Sequence, residues 1–261
     1  EVLTVLLQEC LKYDNCSECT KYFANLALKL LTEEHLEDLL EAQQHEFYQI
    51  RKNNKNQIYW IVLQAILQLS LSGEQQCEKL VKNGLFLILN VYMEKFSDRQ
   101  TKSCILQILL NLSMYKSIHE HFWISGWLGT LVQWLNSNDI EFCFSSSKIL
   151  LNLNSNETCL SGDSLYILHP LYNETDESEF DVIFVHGLLG GVFRTWRQCD
   201  SEKNSPNYTK CWPKSWLAND IENVRILGID YPTYLSDWNI ECPSDKFTLK
   251  DRSTQVINIL T

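Results

Sequence analysis

The sequence has no block of basic residues. Its 22 lysines and arginines are outnumbered by 33 aspartates and glutamates, for a net charge of −11, and the positive side chains are scattered. A protein that follows a phosphate backbone neutralises several phosphates along one track, so no nucleic acid partner is expected. An apolar run long enough to span a bilayer is also lacking. The longest such stretch, Ile58 to Leu71, is interrupted by Gln64 and Gln68 and falls short of the about 20 residues a membrane helix needs. It reads as a buried helix of a soluble fold. Residue 1 is Glu, and the first residues hold neither a basic region followed by an apolar one nor an Arg-rich amphipathic pattern, so no address can be read there. Cys16 and Cys19 form a Cys-x-x-Cys with no second ligand pair and no thioredoxin-like strand before it, which makes it a chance match. Neither a metal nor a cofactor is expected.

What is present is a globular composition, 45% hydrophobic and 21% charged, which supports packed cores rather than wholesale disorder. The ten cysteines are spread along a chain with ample core-forming residues and are expected as reduced thiols. Asn-x-Ser/Thr matches occur at Asn15, Asn111, Asn156, Asn173 and Asn207. Asn111 sits inside an apolar helical pattern where a glycan cannot fit, and the set is read as coincidence.

The first part of the chain repeats. Ile105, Ile108, Leu109 and Leu112 fall on one stripe of a helix that must be buried. Polar residues follow, then Ser125-Gly126-Trp127, after which Leu128, Leu131, Val132 and Leu135 renew the helical spacing. The same phrase occurs earlier as Ile66-Leu67-Gln68-Leu69-Ser70 and Asn83-Gly84-Leu85, with Gly84 and Gly126 offset by 42 and Ser70 and Ser113 by 43. A third copy begins at Leu150-Leu151-Asn152-Leu153, offset by 41 from Leu109-Leu110-Asn111-Leu112, and stops. Helical periods of about 40–47 residues are those of armadillo and HEAT units, which stack because one unit cannot bury its apolar face alone. The spacing also admits an irregular helical bundle. Asn111 and Asn152 are placed to bond backbone groups of an adjoining repeat. The stretch before residue 58 is helical in pattern without a clear phase. His35, His45, His119 and His121 are read as surface or cap residues, since His119 and His121 cannot share a helix face. A solenoid of this kind presents a concave surface to a protein partner.

After Leu153 the period changes. A polar bridge leads to Leu165–His169, a short strand stopped by Pro170. An acidic turn from Asn173 to Glu179 precedes Val182–Val185, an apolar run suited to a parallel strand covered on both faces. Next come His186-Gly187-Leu188-Leu189-Gly190-Gly191, a helix or turn to Trp196, a polar insertion with Pro206, Cys211 and Pro213, and a second buried strand at Val224–Ile229, closed by Asp230-Tyr231-Pro232. Strand, His-Gly loop, crossover and strand is how α/β-hydrolases build half of an oxyanion hole. There Leu188 would donate its N–H to a developing oxyanion, Gly187 would allow the turn, and His186 would brace the loop. From these residues alone, a flexible Gly190-Gly191 turn with a structural histidine fits equally well.

Further residues make the pattern specific. The run DVIFVHGLLGGVFRTW from Asp181 to Trp196, YTKCWPKSWLA from Tyr208 to Ala218, and LSDW from Leu235 to Trp238 closely resemble the serine active-site containing protein family. The match covers about Ser164 to Pro243, and the helical region before it agrees with that family's domain order. The His-Gly loop also resembles those of lipases and of inositol deacylases. The resemblance implies armadillo-like repeats over residues 1–160 and, over 161–261, the N-terminal part of an α/β-hydrolase domain built on a parallel sheet with helices. It further implies a lipase-like serine hydrolase acting on a lipid ester at a membrane surface. The roles it implies are phosphatidylglycerol remodelling and intracellular cholesterol movement, at contacts between mitochondrion and endoplasmic reticulum.

The chain nevertheless contains no Gly-x-Ser-x-Gly pentapeptide, the elbow that carries such a nucleophile. Phe247 to Leu260 reads as the helix before the nucleophile strand, so the triad is expected beyond Thr261 and no catalytic residue within this chain. Asp230 and Asp237 precede the expected nucleophile, the wrong chain order for the triad acid. The expectation is a polypeptide inactive by itself, whose sheet has an unpaired edge and an uncovered apolar face. A second reading keeps the helical repeats as the working part, a protein-binding scaffold without a triad.

Overall fold

A computed structural model describes residues 55–154, 164–171, 178–197 and 211–231, with scattered helical positions near both ends. The Cys-x-x-Cys pair, His35, His45, Asp237 and the LSDW stretch lie outside the described residues, as does most of 247–260, of which Ser253, Thr254 and Ile257 are helical. The chain divides into two compact units, Glu1–Gly126 and Trp127–Thr261. Eight α-helices, one 3-10 turn, one π-helical turn and a three-stranded mixed sheet make up the described elements.

In the first unit, α1 (Lys55–Ser70), α2 (Glu74–Lys82), α3 (Leu85–Lys95), α4 (Arg99–Ser113) and the short α5 (His119–Ile124) follow one another. Local chemistry sets their ends. Asp98 caps α4 by accepting the Thr101 N–H at 2.8 Å, and this bond holds its carboxyl below the usual carboxylate range. Gly84 and Gly126 both lie in the left-handed region, φ 87° and 81°, where a side chain would be strained. Each glycine turn joins a short helix to a longer one, so every phrase contains one more helix than its apolar pattern reveals. The extra helices, α2 and α5, are too short to show a long stripe.

The repetition extends to hydrogen bonding. Ser70 and Ser113 each donate to the carbonyl three residues back, Leu67 and Leu110, at 2.7 Å. Ile105, Ile108, Leu109 and Leu112 are fully buried, and so nearly are Leu106 and Leu110; from Ile108 to Ser113, α4 is covered all round rather than along one stripe. Asn111 reaches the neighbouring phrase as expected, but its Nδ2 donates to the Ser70 hydroxyl at 2.8 Å instead of to backbone. Tyr92 of α3 donates to the Tyr59 carbonyl of α1 at 3.0 Å. His119 meets the Ser113 carbonyl at 2.8 Å, a cap role for α4, and His121 stacks on Phe86.

The second unit begins with α6 (Trp127–Leu135) and α7 (Ile140–Asn154), packed together through Trp134 and Phe142, whose rings meet edge to face at 5.1 Å. Helix α7 lies against β1 (Leu165–His169): Ser147 donates to the Leu171 carbonyl at 2.9 Å, and the ammonium of the buried Lys148 sits 4.7 Å from the Tyr166 ring centre. The sheet order is β1-β3-β2, with β2 at Phe180–Val185 and β3 at Val224–Ile229.

Two expectations are corrected here. The sheet is mixed rather than parallel, because β1 runs antiparallel to β3 while β2 runs parallel to it, pairing Val182 with Ile226 and Val185 with Ile229. Nor is β2 covered on both faces. It is an edge strand among the described residues, and Phe180, Ile183 and Val185 are exposed. Asp181 shares the Ile183 and Val185 face and forms a bidentate pair with Arg225 on β3, at 2.7 and 2.6 Å. The opposite face carries Val182 and Phe184 toward the interior. The continuous apolar run hid this difference, because both faces of β2 bear apolar side chains. Only β3, with Val224, Ile226, Leu227 and Ile229 buried, has the burial expected of a central strand.

Candidate functional site

The strand β2 ends at Val185 and turns at once into the His186–Gly191 loop. His186 is 2% exposed. Its Nδ1 lies 3.0 Å from the Gly187 carbonyl, and its Nε2 accepts the Tyr231 N–H at 3.2 Å. Protonation on Nδ1 would satisfy the Gly187 carbonyl and the Tyr231 N–H, whereas protonation on Nε2 would let the ring donate to Asp230 Oδ1, 3.2 Å away. The same ring stacks on Tyr231, centroids 4.3 Å apart and 9° from parallel, and the Tyr231 hydroxyl donates to the His186 carbonyl. His186 is therefore a brace, clamped between its own loop and the residue two beyond β3.

Asp230, the residue between, fixes the other side of the loop. Its Oδ1 accepts the Val192 N–H at 3.0 Å and lies 3.2 Å from His186 Nε2, while its own N–H donates to the Ser164 carbonyl at 2.7 Å. Thr195 completes the frame by accepting the Gly191 N–H at 3.0 Å. Sequence reasoning weighed Asp230 only as a triad acid and did not single out Tyr231 or Thr195. The available signal was position: in a parallel pair, residues just past the carboxyl end of one strand stand beside those past the end of its neighbour.

The turn itself closes through the Gly190 N–H donating to the Gly187 carbonyl at 3.0 Å, with Leu189 at φ 57°. A leucine in the left-handed region carries strain on the order of 1–2 kcal/mol, held here by the bonds on either side. The sterically required glycine is Gly190, where a Cβ would stand 2.7 Å from Thr195 Oγ1 and 2.9 Å from the Gly187 carbonyl oxygen. At Gly187 a Cβ would meet nothing within 4 Å, so the space beside it is open. Gly228 of β3 is needed for the loop's approach, since a Cβ there would lie 2.4 Å from Val192 Cγ2. Leu188 is 73% exposed, and its N–H has no acceptor among the described residues. The loop, fixed at both ends, thus presents an exposed residue whose N–H has no acceptor among the described residues, and the same holds for Leu189 beside it.

Aromatic rings support the loop from behind. Phe184 of β2 meets Trp196 at 4.9 Å and Trp212 at 5.2 Å, and the Trp212 N–H donates to the Trp196 carbonyl at 3.1 Å. This explains part of the tryptophan-rich YTKCWPKSWLA segment, whose Tyr208 to Lys210 lie outside the described residues. Among the described residues no cluster of three or more His, Cys, Asp or Glu side chains could hold a metal ion, and no helix is long and apolar enough to cross a membrane.

No family model and no solved structure matches the chain. Curated proteins do. The chain is 32% identical over 96% of its length to Protein SERAC1 of Danio rerio, of which it covers 41%. It is 30% identical over 93% of its length to Protein SERAC1 of Homo sapiens, covering 39% of that protein. For Protein SERAC1 of Macaca fascicularis the values are 31% identity, 93% of this chain and 49% of the relative. The chain therefore spans about two fifths to one half of these relatives, and the similarity takes in both its helical and its strand-bearing parts. It belongs to the serine active site-containing protein family.

Proposed function

We propose that the His186–Gly191 loop is the first half of the oxyanion hole of a lipase-like serine hydrolase, with the Leu188 N–H as the donor. In this reading, residues 1–160 form armadillo-like repeats and 161–261 the front of the hydrolase domain. The observation that carries it is the exposed Leu188, whose N–H has no acceptor among the described residues, just past a parallel strand on a loop pinned by Tyr231 at His186 and by Asp230 at Val192. Such a donor acts on charge that develops in the transition state, and it acts best when its position is fixed in advance. The open space beside Gly187 leaves room for the reacting oxygen to approach. The substrate class is a lipid ester. The biological setting is phosphatidylglycerol remodelling and cholesterol movement at mitochondrion and endoplasmic reticulum membranes, taken from the family resemblance.

This chain by itself holds no Gly-x-Ser-x-Gly elbow and supplies no serine nucleophile on that motif. A fluorophosphonate probe should leave the 261-residue chain unlabelled and label a family protein that carries the elbow. In that protein, replacing the residue equivalent to Leu188 by proline removes the donor N–H and should lower esterase turnover by about 100-fold or more. Unchanged turnover in a folded Leu188→Pro protein would refute the assignment. The second reading, a protein-binding scaffold acting through the helical repeats, rests on the repeated three-helix phrase with its matching glycine turns and serine bonds. It predicts a partner that is retained when residues 164 to 261 are deleted.

A further inference from the structure

A second chemically distinctive cluster lies away from the loop, within the second unit. The Lys214 ammonium donates to the Cys143 sulfur at 3.2 Å. Cys143 belongs to α7 and is 3% exposed; Lys214 belongs to the π-helical turn Pro213–Leu217. Cys211, also 3% exposed, is near enough for both Lys214 and Cys143 to act on it electrostatically, and its burial pushes its thiol up to about 11. Neither thiol is bridged. The same Lys214 charge adds to burial in pushing His169 below its ordinary value. An amine is thus held against a thiol by two packed elements, one of them a π turn, a distortion that often marks functional positions.

We propose that Cys143 and Lys214 are a peroxide-responsive modification site that closes to a covalent sulfur–nitrogen link. In the first step the Cys143 sulfur attacks one oxygen of hydrogen peroxide. The O–O bond breaks, an S–O bond forms, and one water leaves, which oxidises the sulfur by two electrons and gives a sulfenic acid. In the second step the Lys214 ammonium first releases one proton to solvent, and the free amine attacks that sulfur. The S–N bond forms, the S–O bond breaks, and the hydroxyl leaves with an amine proton as a second water. The sum is one thiol, one amine and one peroxide giving one sulfenamide and two waters. Sulfenic acids are trapped in this way by backbone nitrogen as well as by thiols, and the 3.2 Å approach places the Lys214 nitrogen within reach of the sulfur. The link ties α7 to the turn that follows Trp212, the ring behind the His186 loop. A thiol reductant reverses it.

The test treats the intact 261-residue chain with hydrogen peroxide, blocks free thiols, and maps proteolytic fragments by mass spectrometry with and without dithiothreitol. The expected product joins the Cys143 and Lys214 peptides with the loss of two hydrogens, blocks tryptic cleavage at Lys214, and disappears on reduction. It should be lost in Cys143→Ser and in Lys214→Arg, which keeps the positive charge, and retained in Cys211→Ser. The proposal is overturned if wild-type Cys143 proceeds to sulfinic acid without a cross-link, pairs with Cys211 as a disulfide, or stays unmodified. Because the wild-type map already decides between these products, the test stands even if a variant fails to fold.

Discussion

Replacing Gly190 and Gly191 separately by alanine tests whether the loop is shaped by sterics or is merely mobile. The two glycines are adjacent and chemically identical, yet their surroundings differ. A Cβ on Gly190 would press on Thr195 Oγ1 at 2.7 Å, on the Gly187 carbonyl oxygen at 2.9 Å and on His186 Cβ at 2.9 Å. Two of these belong to the braced loop itself, so the strain cannot be relieved by one flexible side chain. Moving Thr195 would also break its bond to the Gly191 N–H. Overpacking of this kind costs about 1–3 kcal/mol, and a loss of about 2 kcal/mol lowers the melting midpoint of a domain this size by roughly 6 °C. On Gly191 the nearest atoms would be at 3.5 Å, ordinary van der Waals distance. Its φ lies outside the left-handed region, so Gly191→Ala should be neutral or stabilising by about 0.4–1 kcal/mol through the unfolded chain. Thermal melts followed by circular dichroism, with hydrogen exchange at the Gly191 and Val192 amides, measure both. A Gly191→Ala protein destabilised as much as Gly190→Ala would refute the steric account.

Tyr231→Phe removes the hydroxyl that donates to the His186 carbonyl. It should cost about 1–3 kcal/mol if that carbonyl is left unsatisfied, with faster exchange at the Val192 amide than in wild type. For Asp181 and Arg225, a double-mutant cycle with Asp181→Asn and Arg225→Gln should return a coupling of only about 0.2–1 kcal/mol at neutral pH, because both side chains are partly exposed. Hydrogen bonding to Arg225 pushes the Asp181 pKa down. The coupling is therefore fully present above the ordinary value of 3.8 and disappears as pH falls through the lower folded value; a coupling that persists in strong acid would contradict the ion pair. Asn111→Ala removes the 2.8 Å bond to Ser70 from a buried site and should destabilise the first unit by about 1–3 kcal/mol, read by urea unfolding. Because Asn111 Oδ1 has no partner among the described residues, Asn111→Leu should cost less than Asn111→Ala.

What the sequence determined on its own was local and periodic. The apolar spacing of 105–112, the positive-φ glycines at 84 and 126, and the strand at Leu165–His169 are set by residues a few positions apart. The resemblance of the 181–218 motifs identified the family for the same reason, since those motifs are contiguous. Pairing between distant residues had no such signature. That β2 is an edge strand among the described residues, that β1 runs antiparallel, and that Tyr231 holds His186 across about 45 positions were decided only when the strands packed. So was the meeting of Cys143 with Lys214, which are 71 residues apart. Periodicity tells a segment which face to bury, but not which segment will cover it. The glycines show the division most clearly: HGLLGG announced a tight loop, and only the tertiary neighbours made Gly190 the one that cannot bear a side chain, because the atoms that forbid it come from the folded loop around it.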